Sequence, residues 1–486
     1  MHLYLIGFIT YFLIIGLIGV TAYWNNQKNK VDSDYASAIL GNRSINYFLT
    51  ALSAHASDMS DWLFMAFPGA LYAGGLINGW IAIGLVIGMW VTWKFIAPGL
   101  RKSTEKFNAF TLSTFFERRF DDKSGTIRLL SAAMCLFFFS VYIAAGLKGF
   151  GYLAKSVFAI PYQYGLLIGL VCVIFYIMLG GYRSLAWIDC FQALFLLVII
   201  FLVPAIAFFK VGGWAAISNQ AATNNISLGF FPDTALGMTN TLLMAFSWMV
   251  GYFGMPHILT KFMGIKNVDE MAKAQRIGMA WQISVLSAAG FVGLIGIAYF
   301  PETLSNQELV FVEMSKTLFS PLMTGFVLSA VAGAALSVVT AQVLVLVSVL
   351  TEDFYKRTLR PAATNQELIW AYRFGILLIA ICSFCISTDE STSIQYLVHY
   401  AWMGFGCSFG PLVILSLHSQ YVNKYGAYAS ILAGGLIAAL WENLGKSFFA
   451  ANYGLAIPAV IPGFCLSFIF AYMISWVTKG LPNSNT

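Results

Sequence analysis

Apolar runs of roughly twenty residues recur from one end of this chain to the other, and they restrict the fold more than any motif does. About 30 Å of hydrocarbon takes about 20 residues of helix to cross. The candidate crossings are Leu3 to Tyr23, Phe48 to Gly75, Trp80 to Pro98, Ile127 to Phe158, Tyr164 to Leu179, Trp187 to Phe208 and Thr239 to Leu259. They continue with Ile277 to Tyr299, Leu322 to Leu350, Leu368 to Ser387, Ile394 to Leu417, Ala427 to Trp441 and Ile457 to Val477, thirteen in all. Charged residues make up only 10% and the mean hydropathy is +0.77, against about 25% charged in a soluble domain. The chain therefore reads as an all-α polytopic membrane protein, one transmembrane domain over 1–486. The first segment lacks a basic leader and is expected to be a retained helix. The tail from Gly480 is short and polar, so no regulatory domain is expected there.

Most of the 27 Lys and Arg residues fall on loops that an outside N-terminus would put in the cytoplasm. Lys261 is counted with them as a positive-inside anchor, whereas Lys155, Lys210, Lys316 and Lys446 fall on the other side and Lys148 inside a helix. The bias predicts an inner-membrane protein with its N-terminus outside and its C-terminus in the cytoplasm. The net charge of +6 follows from that bias and implies no nucleic-acid partner. Cys382 and Cys385 have CxxC spacing but no second ligand pair, so all seven cysteines read as buried free thiols. No Walker loop, HExxH or GxSxG occurs, which argues against an ATP-driven pump and against a membrane protease.

The second crossing contains Ser53-Ala-His-Ala-Ser-Asp-Met-Ser-Asp61 followed by Trp62. Polar backbone at bilayer depth is tolerated only where protein buries it or where it lines a cavity, and two carboxylates there, Asp58 and Asp61, mark a functional site. The serines offer hydrogen bonds that compete with the helix, so this segment is expected to unwind. Freed carbonyls and half-helix ends are how midplane cation sites are made. The other reading is an interfacial cap with solvated carboxylates.

Leu40-Gly-Asn-Arg-Ser44, Thr50-Ala-Leu-Ser-Ala54 and Ala56-Ser-Asp-Met-Ser60 resemble the sodium:solute symporter family, in particular its sodium/proline symporter branch. So do Trp248-Met-Val-Gly-Tyr-Phe-Gly-Met-Pro-His257 with Lys261-Phe-Met263, Gly180-Gly181 followed by Asp189, Gln192 and Ala193, and Thr351-Glu-Asp-Phe-Tyr-Lys356. The resemblance runs from about Phe8 to the last helix. It implies a leucine-transporter-like core of two inverted five-helix repeats, about 46–210 and 236–418, with extra helices at both ends. It implies sodium held by the carbonyls of Ala56, Met59 and Ala334 and the hydroxyl of Ser337, with Asp58 as the sodium-linked carboxylate. It also implies a substrate site formed by Ser60, Tyr142, Trp248, Tyr252 and Pro256.

The residues of the seventh crossing read compatibly. Pro256 with Gly251 and Gly254 permits a break, and a broken helix presents backbone N–H groups to a carboxylate. Trp248 and Tyr252, four apart, share a face that suits the ring of an imino acid, though core packing accounts for such a pair equally well.

The chain also departs from the resemblance. Val338 stands where the family places a second hydroxyl and offers a hard cation no oxygen; Asp61, or Thr340 one turn from Ser337, could supply one. His55 and Asp61 replace small residues and Lys148 an apolar one, so with Asp189 they are candidates for proton or charge coupling. Lys148 either snorkels to the outer interface or pairs with Asp61 or Asp189.

The expected function is secondary active import of a small amino acid, foremost proline, by cation-coupled symport, with sodium, or else protons, as the coupling ion. No other cofactor and no enzymatic activity are expected, and the carrier is expected to be a monomer or weak oligomer. The alternatives are a carrier of another small amino acid or a carboxylate, with proton coupling or without sodium dependence, a sensor on the same fold, or a channel. The single, asymmetric broken motifs argue against the channel.

Overall fold

The computed structural model describes residues 2–28, 40–178 and 182–479. Among these every named element is helical, and the one β contact is an isolated parallel bridge between Ile45 and Ile265. By length and apolarity ten helices could cross a membrane, and eleven if one bent pair counts as a span. Two further expected crossings, the second and the fifth, fall on shorter helices.

Helix α1 (His2–Lys28) lies against the rest of the bundle. The second expected crossing is two half-helices, α2 (Tyr47–Ala56) and α3 (Ala66–Gly74). Asn46 caps α2 by accepting from Leu49 N at 2.9 Å. The helix stops at the serine-rich stretch: the N–H groups of Asp58 and Met59 both turn back to His55 O, at 3.2 and 3.0 Å. A short 3₁₀ turn, Asp61–Leu63, follows, capped by Ser60 Oγ, which accepts from Trp62 N at 3.1 Å. Residues 49–69 are buried without exception, so the unwound backbone sits inside protein. The interfacial-cap alternative is thereby excluded.

The chain continues through α4 (Trp80–Val91), α5 (Ala97–Lys106), α6 (Leu112–Arg119), α7 (Thr126–Phe158), α8 (Tyr162–Met178) and α9 (Tyr182–Val211). At 17 residues α8 is the other short crossing. The Gly180-Gly181 motif lies outside the described residues. The stretch from Gly212 to Asp233, between two crossings, contains α10 (Trp214–Thr223).

The seventh crossing is also broken, into α11 (Ala235–Gly251) and α12 (Pro256–Met263), bent by 47°. Pro256 opens α12, where its missing N–H costs nothing. Gly254 is there because the break lies on α17 (Ile394–His418): a Cβ on it would overlap Phe405 O. Residues 250–265 are buried like the first break. The remaining helices are α13 (Met271–Tyr299), α14 (Val310–Leu318), α15 (Pro321–Ser348), α16 (Asn365–Ser387), α18 (Lys424–Trp441), α19 (Ser447–Tyr453) and α20 (Val460–Val477).

Helix α1 crosses α15 at small residues. A Cβ on Gly7 would overlap Leu322 O, one on Gly325 would overlap Tyr4 O, and Tyr11 covers Gly333. Close backbone approach of this kind drives helix association where no hydrophobic force is available. We expect Gly7→Leu or Gly325→Leu to destabilise the protein by about 1–3 kcal/mol through overpacking, read as a lower midpoint of thermal unfolding in detergent. Unchanged midpoints for both would remove this crossing as a determinant of stability.

Candidate functional site

The two breaks are joined through one hydrogen bond and one carboxylate. Tyr252, in the turn after α11, donates its hydroxyl to Asp58 Oδ2 at 2.5 Å, and Gln282 Nε2 of α13 reaches the same hydroxyl at 3.0 Å. Asp189 of α9 is the second link. Its Oδ2 accepts from Ser53 Oγ at 2.8 Å and from Lys261 Nζ at 2.9 Å, and its Oδ1 from Ser337 Oγ at 2.6 Å. Lys261 Nζ also lies 2.9 Å from Ser53 Oγ. One buried carboxylate thus ties α2, α12 and α15 to α9.

That cluster corrects one expectation. Lys261, counted with the loop anchors, is 6% exposed and ion-paired with Asp189. Lys148 pairs with neither Asp61 nor Asp189: its ammonium donates to the backbone carbonyl of Asp389, in the connection between α16 and α17. His55 is fully buried with its ring between Trp93 and Trp281, and its Nε2 accepts from Trp93 Nε1 at 3.3 Å.

The expected pocket residues are aromatic neighbours. Trp248 stands 5.2 Å from Trp62 and 4.7 Å from the ring of His399, and Tyr252 lies 4.7 Å from Trp402. Trp402 Nε1 fixes the wall by donating to Trp248 O at 2.8 Å. Tyr142 of α7 faces His257, next to Pro256, at 5.9 Å. Ser60 is beside this group, but its hydroxyl serves the turn. Several buried polar atoms here have no partner among the described residues: both nitrogens of His257, Trp62 Nε1, Gln282 Oε1, Thr340 Oγ1 and both oxygens of Asp61.

The carbonyls of Ala56 and Met59 lie at and beyond the end of α2, where a helix leaves its last carbonyls without helical partners. Ala334 and Ser337 are buried on α15, Val338 beside them is apolar, and the orphan hydroxyl of Thr340 is three residues on. That donor set, carbonyls plus a hydroxyl, is of the oxygen type a hard cation takes.

A vestibule of about 770 Å³ opens near one end of this region, lined by Tyr152, Lys155, Asn306, Glu308, Glu313 and Glu390 among others. Glu308 accepts from the N–H groups of Ile394 and Gln395, both at 2.9 Å, and so caps α17. Burial nevertheless pushes its carboxyl up. Asp389, at the rim, is held down to about 2 by the hydroxyls of Ser391 and Thr392.

The profile of the sodium:solute symporter family matches residues 38–434. The chain belongs to that family. This symporter is 38% identical over 471 residues to the high-affinity proline transporter PutP of Bacillus subtilis, covering 95% of this chain and 96% of the relative. It is 38% identical over 476 residues to a sodium/proline symporter of Staphylococcus aureus, covering 96% and 91%. Among solved structures, a Na⁺-coupled sialic acid symporter in a substrate-bound, outward-open state superposes with a TM-score of 0.76, at 16% identity and with 98% of each chain covered. The fold is thus leucine-transporter-like, and the symporter is a multi-pass membrane transporter, not an enzyme.

The aromatic partners His399 and Trp402, and Gln282 on Tyr252, have nothing local in the sequence to mark them, whereas Trp62 stands at the end of the polar stretch without any sign of its contact with Trp248. Lys261 had a usable signal: a lysine within the apolar run Ile258 to Met263. We expect Asp189→Asn, which strands the ammonium of Lys261, to cost about 3–5 kcal/mol. The double variant Asp189→Asn/Lys261→Met should recover part of that loss in a thermal melt; a double variant no better than Asp189→Asn would separate the two residues energetically.

Proposed function

We propose that this symporter imports proline together with sodium. What carries the reading is the pair of facing breaks bridged by Tyr252 and Asp58, in a chain whose relatives of 38% identity are named as proline carriers. In this reading Trp248, Tyr252, Tyr142 and Ser60 enclose the substrate, and the N-terminus of α12 at Pro256 offers free N–H groups to its carboxylate. Sodium lies between the carbonyls of Ala56, Met59 and Ala334 and the hydroxyl of Ser337. Thr340 takes the part that Val338 cannot. Asp58 links the ion to Tyr252 and so to the substrate.

Two of the four candidate proton-coupling groups, Lys148 and Asp189, have hydrogen-bond partners within the protein, which favours sodium over protons. The basic loop ends support a cell-membrane protein with its N-terminus outside and its C-terminus inside. Repeats at about 46–210 and 236–418 form the working core. Each chain encloses a whole pathway, so a monomer or weak oligomer suffices.

Labelled proline uptake with sodium replaced by choline at fixed pH is the direct test. A fall of about tenfold or more is expected, and undiminished uptake overturns sodium coupling. A hydroxyl restored by Val338→Thr adds one ligand, an interaction of about 1 kcal/mol. It should therefore lower the sodium concentration for half-maximal uptake by about fivefold, while Thr340→Val raises it; no change in either would displace the ion from this position.

A further inference from the structure

Asp61 is the charged group in the first break to which the reading above gives no role. Its side chain is fully buried, and neither carboxylate oxygen has a partner in good hydrogen-bond geometry among the described residues, although the Ser60 hydroxyl and the N–H groups of Trp62 and of Asp61 itself are close by. It sits against α7 at Gly149, so closely that a Cβ there would overlap Oδ2. Gly149 is seven residues, about 10 Å of helix rise, from Tyr142. Trp62, the next residue, stands on the Trp248 wall. Asp61 therefore lies beside the substrate group, on the side where Glu308 lines the vestibule.

Among the described residues no cationic side chain is paired with it. On α7 the ammonium of Lys148 is turned to Asp389 O, and Tyr142 brings a phenol but no charge. Asp58, on its own stretch, and Glu308, from the turn before α14, are both acidic, and the vestibule's lysine, Lys155, is paired with Glu390. Tyr72 of α3 accepts from Leu304 N. Helix α15 has no charged residue, those of α13 are confined to its first turns at Lys273 and Arg276, and α17 brings His399, which lies on Trp248 and Ser247. A buried carboxyl without an opposite charge is kept neutral by a proton, and a cation arriving from outside can take that proton's place. A protonated nitrogen supplies both the opposite charge and short, charge-assisted N–H bonds.

We propose that Asp61 is a specificity residue that binds a protonated nitrogen of the transported solute. This rests on the reading of the site as that of an amino-acid carrier. The nitrogen is either the ring ammonium of an imino acid or the side-chain ammonium of a small diamino acid. A solute without one gains nothing from Asp61.

The test is equilibrium binding to the purified full-length carrier, in saturating sodium, of L-proline, L-ornithine and tetrahydrofuran-2-carboxylate, which has the proline ring with oxygen in place of nitrogen. The wild type should bind one of the two amines at least tenfold more tightly than the furan acid. Asp61→Asn and Asp61→Gly, the second returning the small residue of the relatives, should both abolish that margin. They should leave the furan acid within about twofold. Loss of affinity for proline identifies the ring nitrogen, whereas loss confined to ornithine identifies the side-chain ammonium and replaces proline as the substrate. If the variants weaken all three ligands alike, or none, Asp61 does not read the nitrogen. A change only in the pH dependence or only in the sodium dependence would make it a proton or sodium group instead, and overturn the proposal. Proline bound no better than the furan acid by the wild type leaves the carrier reading standing and removes this one. Binding of none of the three removes both.

Discussion

A polar main chain inside a membrane has to find its partners within the protein, and everything distinctive here follows from how two interrupted helices meet that demand. The α2–α3 and α11–α12 breaks are buried along their whole length. Their loose ends are answered by turns, by the Ser60 cap, by a proline where an N–H would otherwise be orphaned, and by Tyr252 reaching across to Asp58. Each break would be costly alone in lipid. Side by side they supply one another's surroundings, and the surrounding helices exclude the acyl chains.

Asp189 extends that logic from backbone to charge. Lysine and aspartate as a buried pair return little net stability over an apolar pair, because both must be stripped of water. What such a pair does give is position. The carboxylate accepts from Ser53, Ser337 and Lys261, so the three helices that carry them have one shared reference point. Ser337 donates its only hydrogen to Asp189, which leaves its oxygen lone pairs free for a cation. The hydrogen bond and an ion are therefore compatible on the same hydroxyl, and Asp189 orients the ligand without competing for it.

How far the sequence revealed this depends on the distance over which each interaction acts. The first break was legible because serine, aspartate and small residues interrupt an apolar run at that very place, and the second because proline cannot continue a helix. The thirteen expected crossings, by contrast, include one that yields half-helices of 10 and 9 residues, for a window of about 20 residues averages over a break. Lys261 was read as an anchor since basic residues at the edges of apolar runs usually are. Its partner lies 72 positions away, and nothing local records that. Lys148 was harder still, because its acceptor is a main-chain carbonyl, which leaves no trace in residue identity. His399 and Trp402 share this difficulty: an aromatic residue on an apolar helix looks the same whether it meets lipid or braces Trp248.

The loss of a hydroxyl at Val338 can be weighed in the same terms. Ser337 and Thr340 are three residues apart on an intact helix, hence on one face and separated by about 4.5 Å of rise. An ion held by the carbonyls of Ala56 and Met59 and by Ser337 would meet Thr340 only by shifting along α15, away from the position that a hydroxyl at 338 would favour. Such a shift changes which carbonyls of the first break it touches. The break is unwound and free to follow, whereas α15 is a continuous helix fixed by α1 at Gly333 and by Asp189 at Ser337. In this carrier the adaptation to a displaced ion therefore falls on residues 57–60, the same turn that positions Asp58 and Asp61.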